Sequence, residues 1–432
     1  MHEGLSNRAH LQTYFLAARD RTIDLCQPLV YDDYLVQSAP FVSPPKWHLG
    51  HTTWFFETFV LQPYCEGYEP LNPKYRELFN SYYHSVDRPM SQAQRSLLTR
   101  PSLPEVLMYR DHVENELLEL LTHTVSAEAL QWIELGIEHE EQHQELLLMD
   151  IKHIFHSCPL QPLYANNLVP VSLARNLKLE FVEFAGGRQK IGYDGELFSF
   201  DNERPAHFVD LRPFALANRL ATNRDFLEFI DDGGYDDPDL WLSDGWEIKT
   251  RENWKAPLYW ETGSEGPCIF TLRGQRRLVY EEPVCHLSYY EADAFARWRS
   301  ATHSDCQGAR LPTESEWEAA VAPQFETLLR AGNFMESHAL HPMPLARNGS
   351  GLQQALGDVW EWTSSSYLAY PGYQPWAGAT AEYNGKFMVN QMVLKGGSCA
   401  TPQSHIRASY RNFFPTETRW QFSGLRLARD LV

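Results

Sequence analysis

From Ala127 to His156 the chain reads AEALQWIELGIEHEEQHQELLLMDIKHIFH, and Ser126 stands immediately before it. Apolar residues recur at helical spacing throughout this stretch, and the serine is a good N-cap, so the spacing predicts one long helix. At its centre lies His139-Glu140-Glu141-Gln142-His143. Histidines four positions apart share a helix face, so both imidazoles can reach one metal ion. Trp132, Leu135 and Leu147 fall on the same face, which therefore turns into a core rather than toward solvent. That combination, a buried helix face carrying two metal-seeking side chains, decides the fold: the helix needs partner helices around it.

The partners lie upstream. Leu5 to Leu25 has helical patterning. A second helix is expected after the break Ser43-Pro44-Pro45, running through WHLGHTTWFFETFVL to about Leu61. A third is expected from Ser102, as LPEVLMYRDHVENELLELL. Four helices of this length predict a bundle, with Phe79 to Arg100 as a long ordered connection. Near Cys158 the grammar changes. PLQPLYANNLVP reads as a linker, and beyond it strand-like pieces such as KLEFVEFAGGRQKIGY alternate with a few helices, TNRDFLEFIDD and YYEADAFARWRS among them. The expectation is a two-domain α+β chain: a helical bundle over 1–158, a linker over 159–178 and a mixed α+β domain over 179–432.

Composition narrows the function. At 432 residues the chain exceeds one ordinary core. A net charge of −19 argues against nucleic acid or an anionic membrane as partner, because phosphate binding needs clustered Lys and Arg. No apolar run approaches the roughly 20 residues needed to span a bilayer. MHEGLSNRAHLQTYF has neither the basic region nor the apolar stretch of a signal peptide. The seven cysteines are scattered and never form a CxxC pair, which points to a reduced, cytoplasmic setting.

HEEQH has the HExxH form, whose familiar reading is a zinc peptidase with Glu140 as general base. The plain alternative is two hydrogen-bonded core histidines. A zincin needs a third ligand downstream, and nothing after Lys152 supplies one convincingly. Upstream, Trp47-His48-Leu49-Gly50-His51 offers two candidates, and spacing does not choose between His48 and His51. Three neutral imidazoles with open positions suit Fe(II) oxygen chemistry or zinc hydrolysis alike.

WHLGHTTWFFETFVL, LFNSYY and HEEQHQELLLMDIKH resemble the DinB-like helical domain of the hercynine oxygenases, the ergothioneine-type sulfoxide synthases. RLPTESEWEAA (Arg310 to Ala320), GDVWEWTSS (Gly357 to Ser365), LKGGSCATP (Leu394 to Pro402), RASYRNFFP and GLRLAR resemble the formylglycine-generating-enzyme-like, C-type-lectin-like domain that follows it there. The resemblance covers nearly the whole chain. It implies that His51, His139 and His143 hold Fe(II), with His48 as a neighbour, and that Gln142 touches the substrate imidazole. It implies that Tyr82 or Tyr83 is an acid toward the oxygen species. Phe413, Phe414 and Trp420 belong, by the same resemblance, to an aromatic loop that helps close the pocket over hercynine. The second domain lacks the late cysteine pair of working formylglycine-generating enzymes, since no Cys follows Cys399, so it is expected to bind substrate rather than to perform that chemistry. By their plain readings, GDVWEW is packing and Thr313 with Glu316 is a capping box.

One segment departs from the pattern. An arginine-rich stretch is expected after the tyrosines, where this chain reads His84-Ser-Val-Asp-Arg-Pro-Met-Ser-Gln-Ala-Gln-Arg95. Arg95 fits the final arginine, Arg88 is shifted in register, and Gln92 occupies the place of another. Arginines there would clamp a sulfur donor's carboxylate. The related selenoneine synthases join hercynine to a selenosugar without a carboxylate, so a thiol such as cysteine and a selenosugar are both expected co-substrates, with O2 as oxidant. The alternatives from other classes are a zinc-dependent thiol transferase or hydrolase on the same bundle, a relative that makes 5-thiohistidine, and a non-catalytic binding protein.

Overall fold

The computed structural model describes residues 2–166, 177–263, 266–345, 350–376 and 382–431, and the side chains of 2–7 lie outside that description. The chain divides into two compact units, Met1–Ala165 and Asn166–Val432. Half of the expected linker, 167–176, lies outside the described residues. None of the described helices is long and apolar enough to cross a membrane.

The first unit is built on four helices: α1 (His2–Cys26), α2 (Pro45–Phe56), α3 (Leu103–Thr122) and α4 (Ala127–Ser157). Their ends are where the sequence signals put them. Pro45 occupies the first turn of α2, where its missing N–H costs nothing. The Glu105 carboxylate accepts from the Ser102 N–H and hydroxyl before α3, and Ser126 Oγ accepts from the Ala129 N–H before α4. All twelve residues of α2 are buried, which makes it the central helix. It packs against α3 and α4, and α1 packs along α4.

Two glycines set the closeness of this packing. A methyl group on Gly50 would overlap the Phe79 ring, and one on Gly136 would overlap the Phe56 ring, so α2 needs glycine on both contacts. Beyond Phe56 the helix continues as a π turn, Glu57–Leu61. Such wide turns gather at functional sites in helices. Phe79 to Arg100 is ordered, with a short 3-10 helix over Gln92–Leu97.

The second unit is mixed. A four-stranded sheet orders Asn412–Pro415, Gln391–Lys395, Trp360–Ser366 and Ser423–Gly424, the last pair parallel and the others antiparallel. A three-stranded sheet joins Phe181–Phe184, Phe214–Ala217 and Ala428–Asp430, so the two ends of the unit meet in one sheet. The helices expected at TNRDFLEFIDD and YYEADAFARWRS are present as Asn223–Asp231 and Tyr289–Thr302. Thr313 and Glu316 form the capping box at Glu314–Val321. The GDVWEW signature is structural: Trp360 and Trp362 are buried on the central strand. Between them Glu361 accepts from Arg426 and from the Trp317 indole.

Candidate metal centre

The two faces of α4 do different work. His139 and His143 face α2, and His51 comes to them from its second turn: one ring nitrogen from each lies within 4.8 Å of the others. His51 Nε2 and His139 Nε2 are 3.2 Å apart. His51 Nδ1 donates to the Phe79 carbonyl oxygen at 2.6 Å, so the Nε2 lone pair is the one turned inward. The His51 ring lies stacked between Trp47 and Trp54, at 4.5 and 5.5 Å, and the His139 ring packs on Phe55 at 4.5 Å. Burial first, then the neighbouring His139, pushes His51 below the ordinary imidazole range, and the same two causes act on His143. Burial pushes His139 down to about 3 against the opposing charge of Glu140. All three are therefore neutral imidazoles, which is the form that binds metal. Three convergent neutral lone pairs, two of them 3.2 Å apart, fit a divalent cation of borderline softness.

Hydrogen bonding distinguishes His48 from His51. Both nitrogens of His48 are already engaged, Nδ1 with His143 Nδ1 at 2.9 Å and Nε2 with Asp150 Oδ2 at 2.9 Å. His48 thus stands behind His143 rather than beside it. Burial pushes the Asp150 carboxyl up, while hydrogen bonds from His48 and the Ser43 N–H pull it back.

Glu140 points the other way. Its carboxylate is buried and bound by Arg110, by Arg19 at 3.1 Å and by Thr22 at 2.7 Å. Burial alone would raise its pKa, but Arg110 and then Arg19 hold it at about 2. A carboxylate tied to two arginines is no general base, so the zinc-peptidase reading of HExxH fails on geometry. Next to it Glu141 accepts from Arg21 and Tyr14.

Tyr82 and Tyr83 are stacked, with centroids 4.5 Å and hydroxyls 3.4 Å apart. Tyr83 is buried against Trp54 and Phe59, and Tyr82 is half-buried. Asn80 shapes this turn, accepting from the Tyr83 N–H and donating to the Tyr83 and Asp87 carbonyls. Gln142 is half-buried on the stretch of α4 that carries His139 and His143. The arginines diverge. Arg95 is buried, donates to Ser43 Oγ and lies 3.2 Å from the centroid of Trp47, whereas Arg88 is exposed. Burial lowers Arg95 to about 9, with Asp150 opposing. Gln92 is exposed and donates to the Phe41 carbonyl. In the second unit Phe413 stacks on Tyr367 at 4.0 Å, and Phe414 meets Trp420 edge-on at 6.4 Å.

Sequence reasoning overlooked Asp150, Phe79 and the Arg19–Glu140–Arg110 cluster. Asp150 had a signal, because it follows His143 by seven residues and so shares its face. The carbonyl of Phe79 had none, since every residue carries one.

Residues 14–147 match the DinB superfamily, and 169–431 match the sulfatase-modifying factor enzyme 1-like domain. The chain is 31% identical to the hercynine oxygenase of Mycolicibacterium smegmatis over 96% of its own length and 97% of that protein's. It is 31% identical to that of Mycobacterium tuberculosis over 99% of its own length and 100% of that protein's. An inactive C-alpha-formylglycine-generating enzyme 2 of Mus musculus matches 43% of the chain at 31% identity, over 68% of its own length. With the helical and sulfatase-modifying-factor domains in this order and relatives that match from end to end, the chain belongs to the hercynine oxygenase family.

Proposed function

We propose that the protein is a mononuclear non-haem iron(II) enzyme that uses O2 to join a sulfur or selenium donor to C2 of the imidazole of hercynine. The observation that carries this reading is the convergence of His51, His139 and His143 as neutral donors with no carboxylate among them. Iron(II) held there would supply open positions for O2 and for ligation of substrate. The full-length likeness to proteins named hercynine oxygenase supports the substrate, and a likeness to ergothioneine biosynthesis protein 1 of Schizosaccharomyces pombe supports the pathway class.

The remaining roles follow from side-chain chemistry. Gln142 offers an amide that can donate to or accept from a substrate imidazole. The stacked tyrosines bring their hydroxyls within 3.4 Å of each other, and one of them delivers a proton during bond formation. Phe413, Phe414 and Trp420 present the aromatic surface that a trimethylammonium group prefers. For the donor, Arg88 and Arg95 are too differently placed to form one clamp, and Gln92 is held at Phe41. That supports a donor bound without a two-arginine carboxylate grip, such as a selenosugar, beside the thiol reading. No disulfide joins any two of the seven cysteines, which accords with a cytoplasmic setting.

The test is an anaerobic assay of the Fe(II)-loaded protein with hercynine and, in parallel, cysteine, γ-glutamylcysteine and a selenosugar, read by mass after O2 is admitted. A hercynine sulfoxide or a selenium adduct supports the reading and names the donor. Bound zinc with O2-independent thiol transfer overturns it.

A further inference from the structure

We infer that His48 and Asp150 are positioning residues that fix the proton of His143 on Nδ1, so that a lone pair on Nε2 faces the metal position. The inference rests on the metal reading above and adds to it the layer that aims one ligand.

The argument runs along a chain of acceptors. An ionised carboxylate only accepts, so the 2.9 Å contact between Asp150 Oδ2 and His48 Nε2 places a proton on that nitrogen. The Ser43 N–H donates to the same oxygen at 2.9 Å and holds the carboxylate in place. In the tautomer that donates from Nε2, His48 carries a lone pair on Nδ1. That lone pair lies 2.9 Å from His143 Nδ1, which must then be the donor. The one remaining lone pair of His143 is on Nε2. If His48 carried protons on both nitrogens, the order would reverse. His143 would accept at Nδ1 and turn an N–H toward the metal position, where it cannot ligate.

His51 reaches the same tautomer by another device, a backbone carbonyl at 2.6 Å that can only accept. The two ligands therefore differ in origin. The acceptor of His51 is built into the main chain, whereas that of His143 is a side chain anchored on a buried acid. Arg95 stands near Asp150 as the further charged group on that side, while Glu140 is engaged by Arg19 and Arg110 on the other face of α4. Asp150 lies on the same helix face as His143 and, like His48, is buried. Outer partners of this kind orient the ring and raise ligand basicity, and losing one typically weakens metal binding about 10–100-fold.

The test is an anaerobic optical titration of the full-length, metal-stripped protein with Co(II), with thermal midpoints of the same metal-free samples. In His48→Asn the side-chain carbonyl oxygen takes the place of Nδ1 and can accept from His143. In His48→Phe the volume is kept and the acceptor is lost. The expected result is a roughly 10–100-fold weaker Co(II) affinity and altered ligand-field bands in His48→Phe. Asn is expected to recover most of both. A role confined to packing predicts the reverse order, with Phe milder than Asn, and would overturn the inference. Equal affinity in all three proteins would overturn it as well. If His48→Phe does not fold, His48→Ala supplies the same contrast with Asn. Failure of the unmodified protein to bind Co(II) would instead remove the metal reading itself, so the two failures are distinct.

Discussion

Replacing Glu140 with glutamine separates the structural account of HEEQH from the peptidase one. The carboxylate is fully buried and joined to Arg19, Arg110 and Thr22. Glutamine keeps the shape but leaves two buried guanidinium groups short of charge, and breaking such a pair costs about 3–5 kcal/mol. Titration leads to a similar figure. The carboxyl sits at about 2 against an ordinary 4.5, and at about 1.36 kcal/mol per pH unit that gap is worth about 3 kcal/mol. Because the folded value is the lower one, the contribution is complete above about pH 4.5 and is lost as pH falls toward 2. At neutral pH a loss of about 3 kcal/mol should lower the midpoint of the helical unit by roughly 6–12 °C. Calorimetry of the Glu140→Gln protein between pH 3 and 8 checks this, and the gap from the unmodified protein should narrow toward the acid end. Turnover by the molecules that remain folded should persist. A variant with an unchanged midpoint and abolished turnover would refute the reasoning and return Glu140 to the role of base.

Three further expectations concern the rest of the molecule. Tyr82→Phe and Tyr83→Phe should divide products differently, the one that loses the acid diverting turnover toward oxidation of the donor; identical, unmodified product ratios from both would exclude the acid role. Gly50→Ala should cost about 1–3 kcal/mol and weaken metal binding, because the added methyl meets the Phe79 ring whose residue supplies the His51 acceptor; unchanged stability and metal content would contradict it. Arg426→Met should destabilise the second unit by about 3–5 kcal/mol by stranding buried Glu361, seen as loss of its unfolding transition at the usual temperature, whereas a midpoint at or above the original would show that the pair is dispensable.

What could be read in advance follows from what each feature depends on. Helix ends are local chemistry, so Pro45, Ser102 and Ser126 announced α2, α3 and α4. The pairing of His139 with His143 is also local, a matter of helical spacing. Whether His48 or His51 joins them depends on how α2 is rotated against α4, and spacing does not contain that rotation. Gly50 and Gly136 mark the two close approaches, but each says only that something comes near, not what. Glu140 illustrates the opposite failure. Its motif suggested catalysis, while its fate was decided by Arg19 and Arg110, which lie 121 and 30 residues away along the chain. The second domain was legible mainly through its signatures. Its strands are short and its loops irregular, so periodicity alone carries little there.

The diversion of Glu140 has an electrostatic consequence for whatever enters the bundle. Three acidic side chains of α4 are engaged away from the three imidazoles: Glu140 by Arg19 and Arg110, Glu141 by Arg21, and Asp150 by His48 and the Ser43 N–H. The three donors left facing inward are uncharged. A dication among them keeps its full +2, in a setting of low polarisability where charge is felt strongly. In a chain whose overall charge is −19, this would be an isolated cationic well. Thiolates, selenolates and reduced oxygen are the kinds of guest such a well gathers.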